Sequence, residues 1–223
     1  MCDNEFKIKT VKTGKPHLIG SDPDLRPKYQ GIDSVKYDVI VCPHCGYGAL
    51  SRFFSYMTTH QAKLIHDNIS VNFKGLAPTG DTYTYDDAIT RYKLALLNTV
   101  VKKAKVSERA YTCLKLAWLY RGKAENLKPD EADYAKKKEE CAKAEKEMLA
   151  NAYEGFMMSV SKENFPICGM DETTLDYLMA NLAKQIGKID EASRIVSRIL
   201  VSKTANPKIK DKARDLKESL KTK

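Results

Sequence analysis

The chain has 223 residues, of which 43% are hydrophobic and 30% are charged, so it is long enough for a globular core. Lys and Arg number 38 against 29 Asp and Glu, and the net charge of +9 makes a polyanionic partner conceivable. No apolar run of about 20 residues exists, so no membrane-spanning helix is expected. The start, MCDNE, lacks a signal-peptide pattern. Six scattered cysteines do not suit a secreted disulfide scaffold, and we therefore expect a cytoplasmic protein.

The first 57 residues have the composition of short strands and turns. Residues 6–11 carry apolar side chains among Lys and Thr and read as a strand. The stretch GSDPDLRPKYQGID, residues 20–33, is dense in Gly, Pro and Asp and predicts loops and turns. Residues 37–41, YDVIV, then form the strongest predicted strand of the chain.

From Thr58 onward the apolar residues recur at helical spacing. Thr84 followed by Asp87 is a capping-box-like start, and Asn206-Pro207 supplies a cap and a first helical position. Ser107 and Asp171 are further predicted caps. The sequence therefore predicts a helical body from residue 58 to residue 223.

Several of these helices resemble tetratricopeptide repeats. Residues 85–96 have a small–aromatic–small pattern at Ala88, Tyr92 and Ala95, and residues 189–200 fit the same template. Equivalent positions in successive repeats, however, are 63 residues apart between Ala110 and Thr173, nearly twice the usual ~34. We therefore expect a long loop or an overlong helix near residues 122–145. An irregular helical bundle is the alternative.

The motif Cys42-Pro43-His44-Cys45 follows the predicted strand and fits two chemistries. A thioredoxin-like redox dithiol needs a helix directly after the motif, and Gly46 and Gly48 oppose one. In a zinc knuckle, two thiolates lie on a tight turn whose glycine adopts a positive φ. The sequence favours the metal, and a thiol-disulfide redox enzyme using Cys42 and Cys45 is a minor alternative.

A structural zinc ion needs four ligands, and Cys2 is the predicted third. A mate for Cys2 would lie before Met1, so we expect the site to be incomplete in this chain and to bind metal weakly or not at all. Neither His17 nor His44 is assigned as the fourth ligand. The predicted fold is mainly α, with a small β-rich zinc-ribbon-like region at 1–57 followed by a tetratricopeptide-like repeat domain at 58–223.

A specific resemblance covers nearly the whole chain. The segments DPDLRPKYQGIDSVKYDVIVCPHCGYGALSRFF, YDDAITRYKLALLNTVVKKAK and FPICGMDETTLDYLMANLAKQIGKIDEASRIVSRILVSKTANPKIKDKARDLK are similar to a bacterial family known only as a domain of unknown function, number two-two-two-five. Members open with a C-P-x-C pair ahead of the segment that matches Phe6 to Thr13, and this chain has only Cys2 of that pair. The resemblance implies a cytoplasmic zinc-ribbon-like head on a tetratricopeptide-like body, with no established activity.

No Gly-rich phosphate loop, nucleophile elbow or helical His pair is present, so we expect a non-catalytic protein. The leading hypothesis is an interaction module that binds a protein or peptide and contains a structural zinc site. Aligning Gly187 with the turn glycine of a repeat places Asn181 and Lys184 on the inner face. The same frame places Trp118 and Arg121 there, although Trp118 also suits the core.

The alternative hypothesis is nucleic-acid binding by the zinc knuckle and the basic C-terminal helices. Residues 194–223 contain ten Lys or Arg and three acidic residues, a net charge of +7. The head lacks the basic stripe with interleaved aromatic residues that base stacking uses. No membrane partner is expected, and the sequence does not predict an oligomeric state.

Overall fold

The computed structural model describes residues 2–12, 14 and 16–221, and it shows a mainly helical protein with a small β-containing N-terminal region. This confirms the predicted fold class. Expectations that concern Met1, Thr13 and Lys223 lie outside the described residues. Within the described part of the chain, no helix has both the length and the apolar character needed to cross a bilayer.

Two antiparallel strand pairs form the β portion of the described residues. Strand β1 (His17–Ser21) pairs with β2 (Pro27–Gln30), and β3 (Val39–Val41) pairs with β4 (Gly48–Leu50). A short 3-10 helix, Ser34–Tyr37, lies between the two pairs. The predicted strand at 37–41 is thus confirmed in its main part.

The prediction of a strand at residues 6–11 was wrong, and the prediction of loops and turns at residues 20–33 was right only in part. Residues 6–11 form no strand, whereas the stretch expected to be loop contributes to both strands of the first hairpin. The Gly, Pro and Asp residues instead shape its tip, where Asp22 N–H donates to Arg26 O at 2.8 Å and Leu25 N–H donates to Asp22 O at 2.9 Å. Turn chemistry was recognised, but its pairing strands were not.

The described residues form eight α-helices, of which α1 precedes the helical body that was predicted from residue 58. They are α1 (Ser51–Phe54), α2 (Thr59–Asn68), α3 (Tyr85–Val101), α4 (Val106–Glu125), α5 (Tyr134–Lys162), α6 (Glu172–Gln185), α7 (Ile189–Val201) and α8 (Pro207–Lys221).

Local capping sets several helix starts. Thr84 and Asp87 form the expected capping box, and Asp171 Oδ1 accepts from Thr174 N–H at 2.7 Å. Asn206 Oδ1 likewise accepts from Lys208 N–H at 2.9 Å. Ser107 is not a cap, because α4 begins one residue earlier and the Ser107 hydroxyl donates to the Glu163 carboxylate at 2.6 Å.

Consecutive helices pack against one another from α3 to α8, and α8 also contacts α6. The 29-residue helix α5 contains much of the extra length that the 63-residue spacing required. Helices α4 and α5 approach closely at small residues: a Cβ added to Gly155 would lie 2.8 Å from the Cβ of Ala110. Close approach at small side chains was the physical basis of the predicted helical pairs.

The N-terminal region packs directly on the helices. Val35, Val39 and Leu50 belong to the same hydrophobic core as α3 and α4. The buried hydroxyl of Tyr92 on α3 donates to Val35 O at 2.8 Å. The division at residue 57 stays a prediction, but these contacts show that α3 positions the cysteine-bearing strands.

Candidate functional site

Cys42 and Cys45 lie on the turn that joins β3 to β4. The turn is closed by Cys42 N–H donating to Tyr47 O at 2.8 Å and by Gly46 N–H donating to Cys42 O at 3.1 Å. Gly46 has φ of +72°, a left-handed conformation that glycine adopts without a Cβ penalty. The turn therefore has the backbone shape predicted from Cys-Pro-x-Cys-Gly.

The body holds this turn in place from two sides. A Cβ at Gly46 would lie 2.7 Å from ring carbons of Phe73, so a side chain does not fit there without a shift. From α3, the buried Asn98 donates through Nδ2 to Gly46 O at 3.0 Å. Neither Phe73 nor Asn98 was identified from sequence as part of the site, because both contacts join distant segments.

The structure brings the three predicted cysteine ligands together. The Sγ atoms of Cys2 and Cys42 are 3.6 Å apart, and those of Cys2, Cys42 and Cys45 all lie within 4.8 Å of one another. Sulfur ligands about 2.3 Å from a tetrahedral zinc ion are about 3.8 Å apart, so the cluster fits such an ion. Among the described residues, no His, Cys, Asp or Glu joins the group as a fourth member, and this includes His17 and His44.

The thiols occupy different environments. Burial raises the pKa of Cys45 to about 12, although the Tyr47 N–H acts in the opposite direction. The backbone N–H of Asn4 lowers the pKa of the half-exposed Cys2. A redox dithiol needs an accessible thiolate of low pKa. The burial of Cys42 and Cys45 instead suits thiols whose protons a metal ion displaces.

Two of the predicted partner-binding residues contact the chain's own hairpin. Trp118 is buried, with 4% exposure, and its Nε1–H donates to Asp24 Oδ2 at 3.2 Å. The Arg121 guanidinium donates to both oxygens of Asp24, at 3.1 and 2.7 Å, and to Asp22 at 3.1 Å. The sequence predicts only turn chemistry for the stretch that contains Asp22 and Asp24, and not this contact with α4.

The charges around Arg121 are almost all compensated. Burial alone would lower its pKa, but the carboxylates of Asp24 and Glu145 raise it, so the guanidinium stays charged. Burial raises the pKa of Asp22, yet hydrogen bonds from Lys28 and Arg121 outweigh it and the net shift is downward. Asp24 itself has 0% exposure. The hairpin tip, residues 22–26, is therefore held by charge-assisted hydrogen bonds.

The other two predicted partner-binding residues, Asn181 and Lys184, lie on α6. Asn181 is buried and donates to Tyr177 O at 2.8 Å, whereas the Lys184 ammonium donates to Ser219 Oγ on α8 at 2.8 Å. Both residues line a cavity of about 340 Å³ between the hairpin tip and α8, together with Lys212. We call this cavity the α6–α8 cleft. Thus two of the four predicted residues, Trp118 and Arg121, bind the hairpin tip, and the other two line the open α6–α8 cleft.

These features define a class: a body of packed helical pairs that carries a small β region with a three-thiol cluster. The chain belongs to the family described as "Uncharacterized protein conserved in bacteria (DUF2225)", whose model matches residues 1–220. This confirms the resemblance found in the sequence. Comparison with curated proteins and with solved structures gave no match.

Proposed function

We propose that Cys2, Cys42 and Cys45 are three of the four ligands of a structural zinc ion, and that this chain binds the ion weakly. The sulfur spacing and the glycine-bearing turn support this assignment, because they match what a zinc knuckle requires. The metal would supply folding free energy by fixing the N-terminal segment to the β3–β4 turn. The thiolates would be its ligands, and no chemistry on a substrate is assigned to them.

Metal titration of the reduced protein tests this proposal. Cobalt(II) should give thiolate charge-transfer absorption that zinc displaces, and Cys45→Ser should remove most of that absorption. Cys113→Ala is the matched control, because Cys113 is also buried but lies in α4 outside the thiol cluster. Absorption that survives Cys45→Ser, or that falls equally in Cys113→Ala, would contradict the assignment.

We further propose that the chain is a non-catalytic module that binds a protein or peptide through its tetratricopeptide-like body. One observation carries this proposal: the faces of α4 and α6 already hold an acidic turn, Asp22-Pro23-Asp24, through Trp118, Arg121 and Gln185. Such a surface can bind carboxylates away from water by charge-assisted hydrogen bonds, and an acidic peptide would be bound through the same kind of contact.

The α6–α8 cleft is the proposed place for an external segment. It adjoins the hairpin tip, and Lys184 and Lys212 supply two ammonium groups beside Tyr177. Asp22 and Asp215 also line the cleft, and the charge of Asp22 is compensated by Lys28 and Arg121. A peptide carboxylate there would extend the pattern that the hairpin tip begins.

A displayed peptide library screened against the purified protein tests the interaction. We expect selected peptides to be rich in Asp or Glu and to lose affinity about tenfold or more in Lys184→Gln/Lys212→Gln, since charge-assisted hydrogen bonds contribute about 1.5–3 kcal/mol each. The matched control is Lys143→Gln/Lys146→Gln, which removes the same charge from the exposed surface of α5. Equal binding by both double variants would place the partner surface elsewhere.

A further inference from the structure

A second cavity, of about 750 Å³, opens on a different set of elements. It lies where α1, the turn between α3 and α4, and the loop between α5 and α6 meet. Four cationic residues line it, and all four are exposed: Arg52, Lys103, Lys105 and Lys162. We call this cavity the basic basin. It shares no lining residue with the α6–α8 cleft.

The acidic groups at the basic basin already have hydrogen-bond or ion-pair partners. Glu163 is its one acidic lining residue, and both of its oxygens accept from Ser107, from N–H at 2.9 Å and from the hydroxyl at 2.6 Å. The nearby Glu108 is paired with the buried Lys102 at 2.7 Å. The basin therefore has an excess of positive charge.

The basin's three lysines lack ion-pair partners among the described residues. Within the described part of the chain, Lys103, Lys105 and Lys162 form no ion pair. In the α6–α8 cleft, by contrast, two lysines face two aspartates. Charge of one sign gathered in a concavity raises the local potential and attracts anions.

Arg52 connects the cysteine-bearing region to this surface. It lies seven residues after Cys45, and its guanidinium donates to the carbonyl of Cys168 while lying 5.5 Å from the Tyr111 ring centroid. Phe53, which is half-buried, also lines the basin. The surface thus combines a hydrogen-bonded guanidinium and one aromatic ring with three exposed ammonium groups.

The kind of anion follows from how these cations are presented. A small ligand is oriented by a few polar groups at fixed positions in an enclosed pocket. Exposed lysines on flexible stems instead suit an anion whose charges repeat, and the guanidinium and ring offer a surface for unpaired bases. We propose that the basic basin binds the phosphate backbone of single-stranded nucleic acid, independently of the peptide-binding function proposed above.

Fluorescence anisotropy with labelled oligouridylate and oligothymidylate of about 20 nucleotides tests the proposal, since that length exceeds a site of ~4–16 nucleotides. Affinity should fall steeply between about 50 and 200 mM salt. The basin variant Lys103→Gln/Lys105→Gln/Lys162→Gln should bind at least tenfold more weakly at the lower salt. Its slope of log affinity against log salt should be shallower by about 2, given ~0.7 per contact.

Two matched triple variants test whether the loss of binding depends on where the lysines lie or only on the loss of three positive charges. Lys136→Gln/Lys143→Gln/Lys146→Gln removes three exposed charges from α5 and should leave the salt slope unchanged. Lys208→Gln/Lys210→Gln/Lys217→Gln removes three lysine charges from α8, where the sequence suggests nucleic-acid contacts, and should also leave the salt slope unchanged. Circular dichroism of all three variants checks that they are folded.

The proposal would be overturned by any of three results: no binding at the lower salt, equal losses in the three variants, or a loss confined to the α8 variant. Polyglutamate of similar length is a further probe. If it binds as tightly and is equally sensitive to the basin variant, the partner is an acidic polypeptide and not a nucleic acid. The Lys184→Gln/Lys212→Gln variant should retain oligonucleotide binding, which keeps this test separate from that of the α6–α8 cleft.

Discussion

The indole Nε1–H of Trp118 donates to Oδ2 of Asp24 at 3.2 Å, and this contact joins positions 94 residues apart. Arg121, one turn farther along α4, binds the same carboxylate. A fully buried aspartate is tolerated here because each oxygen accepts a charge-assisted hydrogen bond. Since Trp118 is the single tryptophan of the chain, its fluorescence reports whether the hairpin is docked.

Asp24→Ala should destabilise the protein by about 1.5–3 kcal/mol, because it removes charge-assisted hydrogen bonds from Arg121, which keeps Asp22 and Glu145, and leaves the buried Trp118 Nε1–H without its acceptor. Urea unfolding followed by Trp118 fluorescence measures the loss, and the native emission should shift to the red as the indole gains water. Asp24→Asn keeps an oxygen acceptor and should cost less. Asp81→Ala, at an exposed position, is the control, and a loss as small as in that variant would show that the hairpin contact is energetically neutral.

Gly46→Ala should destabilise the protein more than Gly75→Ala. Both glycines have positive φ, +72° and +87°, so an alanine at either position meets a left-handed penalty of about 1–2 kcal/mol. Only at Gly46 would the new methyl group also meet Phe73, at 2.7 Å, whereas Gly75 faces open space. Denaturant unfolding of the two variants therefore measures the steric contact separately from the backbone conformation.

The same comparison has a second readout. If the contact with Phe73 is the cause, Phe73→Ala should reduce the extra loss in the Gly46→Ala background. Equal destabilisation of the two glycine variants would mean that the β3–β4 turn shifts to accept the methyl group. Cobalt binding should weaken in Gly46→Ala and should stay unchanged in Gly75→Ala.

Asp171→Ala should lower stability by about 1 kcal/mol at neutral pH, since it removes the N-cap of α6. The Thr174 N–H lowers the pKa of Asp171 below its ordinary value of 3.8. A carboxylate with a lowered folded-state pKa stabilises the protein above the unfolded-state pKa, and this contribution disappears as pH falls through the folded-state value. The difference between wild type and Asp171→Ala should therefore shrink below about pH 4.

Asp171→Ser is the control, because serine is also a good N-cap but does not titrate in this range. Thermal unfolding at neutral pH and near pH 3 checks the expectation. A wild-type advantage over Asp171→Ala that is constant with pH would contradict the assigned role of the charge.

Lys102→Met should be strongly destabilising, by about 3–5 kcal/mol, because it leaves the Glu108 carboxylate without its cation at a mostly buried position. Lys102→Met/Glu108→Leu removes both charges and should be more stable than the single variant. A double-mutant cycle from urea unfolding measures the coupling. If the double variant is less stable than Lys102→Met, the pair contributes through packing and not through charge.

Most helices could be predicted from sequence because their signals are local. The capping box at Thr84 and the caps at Asp171 and Asn206 lie within three residues of the N–H groups they bind. Cys2 could also be predicted, because the chemistry of a metal site calls for more than two ligands and few cysteines are available. Such inferences need no knowledge of distant contacts.

The first hairpin could not be predicted in the same way. Its tip is polar, and what stabilises it is Trp118 and Arg121 on α4, far away in sequence. For the same reason Asn98 did not stand out as a support for the β3–β4 turn. Residues 6–11 have a strand-like pattern but no pairing strand in the structure. In these three cases the structure depends on contacts with distant segments, and the local sequence does not show whether such a contact exists.

The hairpin tip also bears on the order in which a ribosome-bound chain can fold. Asp24 leaves the ribosome early, yet its contact with Gln185 must wait for 161 further residues, about 10–30 s at ~5–20 residues per second. During that interval two aspartates and Arg26 remain in water, where an unpaired charge costs nothing. The N-terminal region therefore completes its docking only after α6 is made, and synthesis from the N-terminus does not imply that this end folds first.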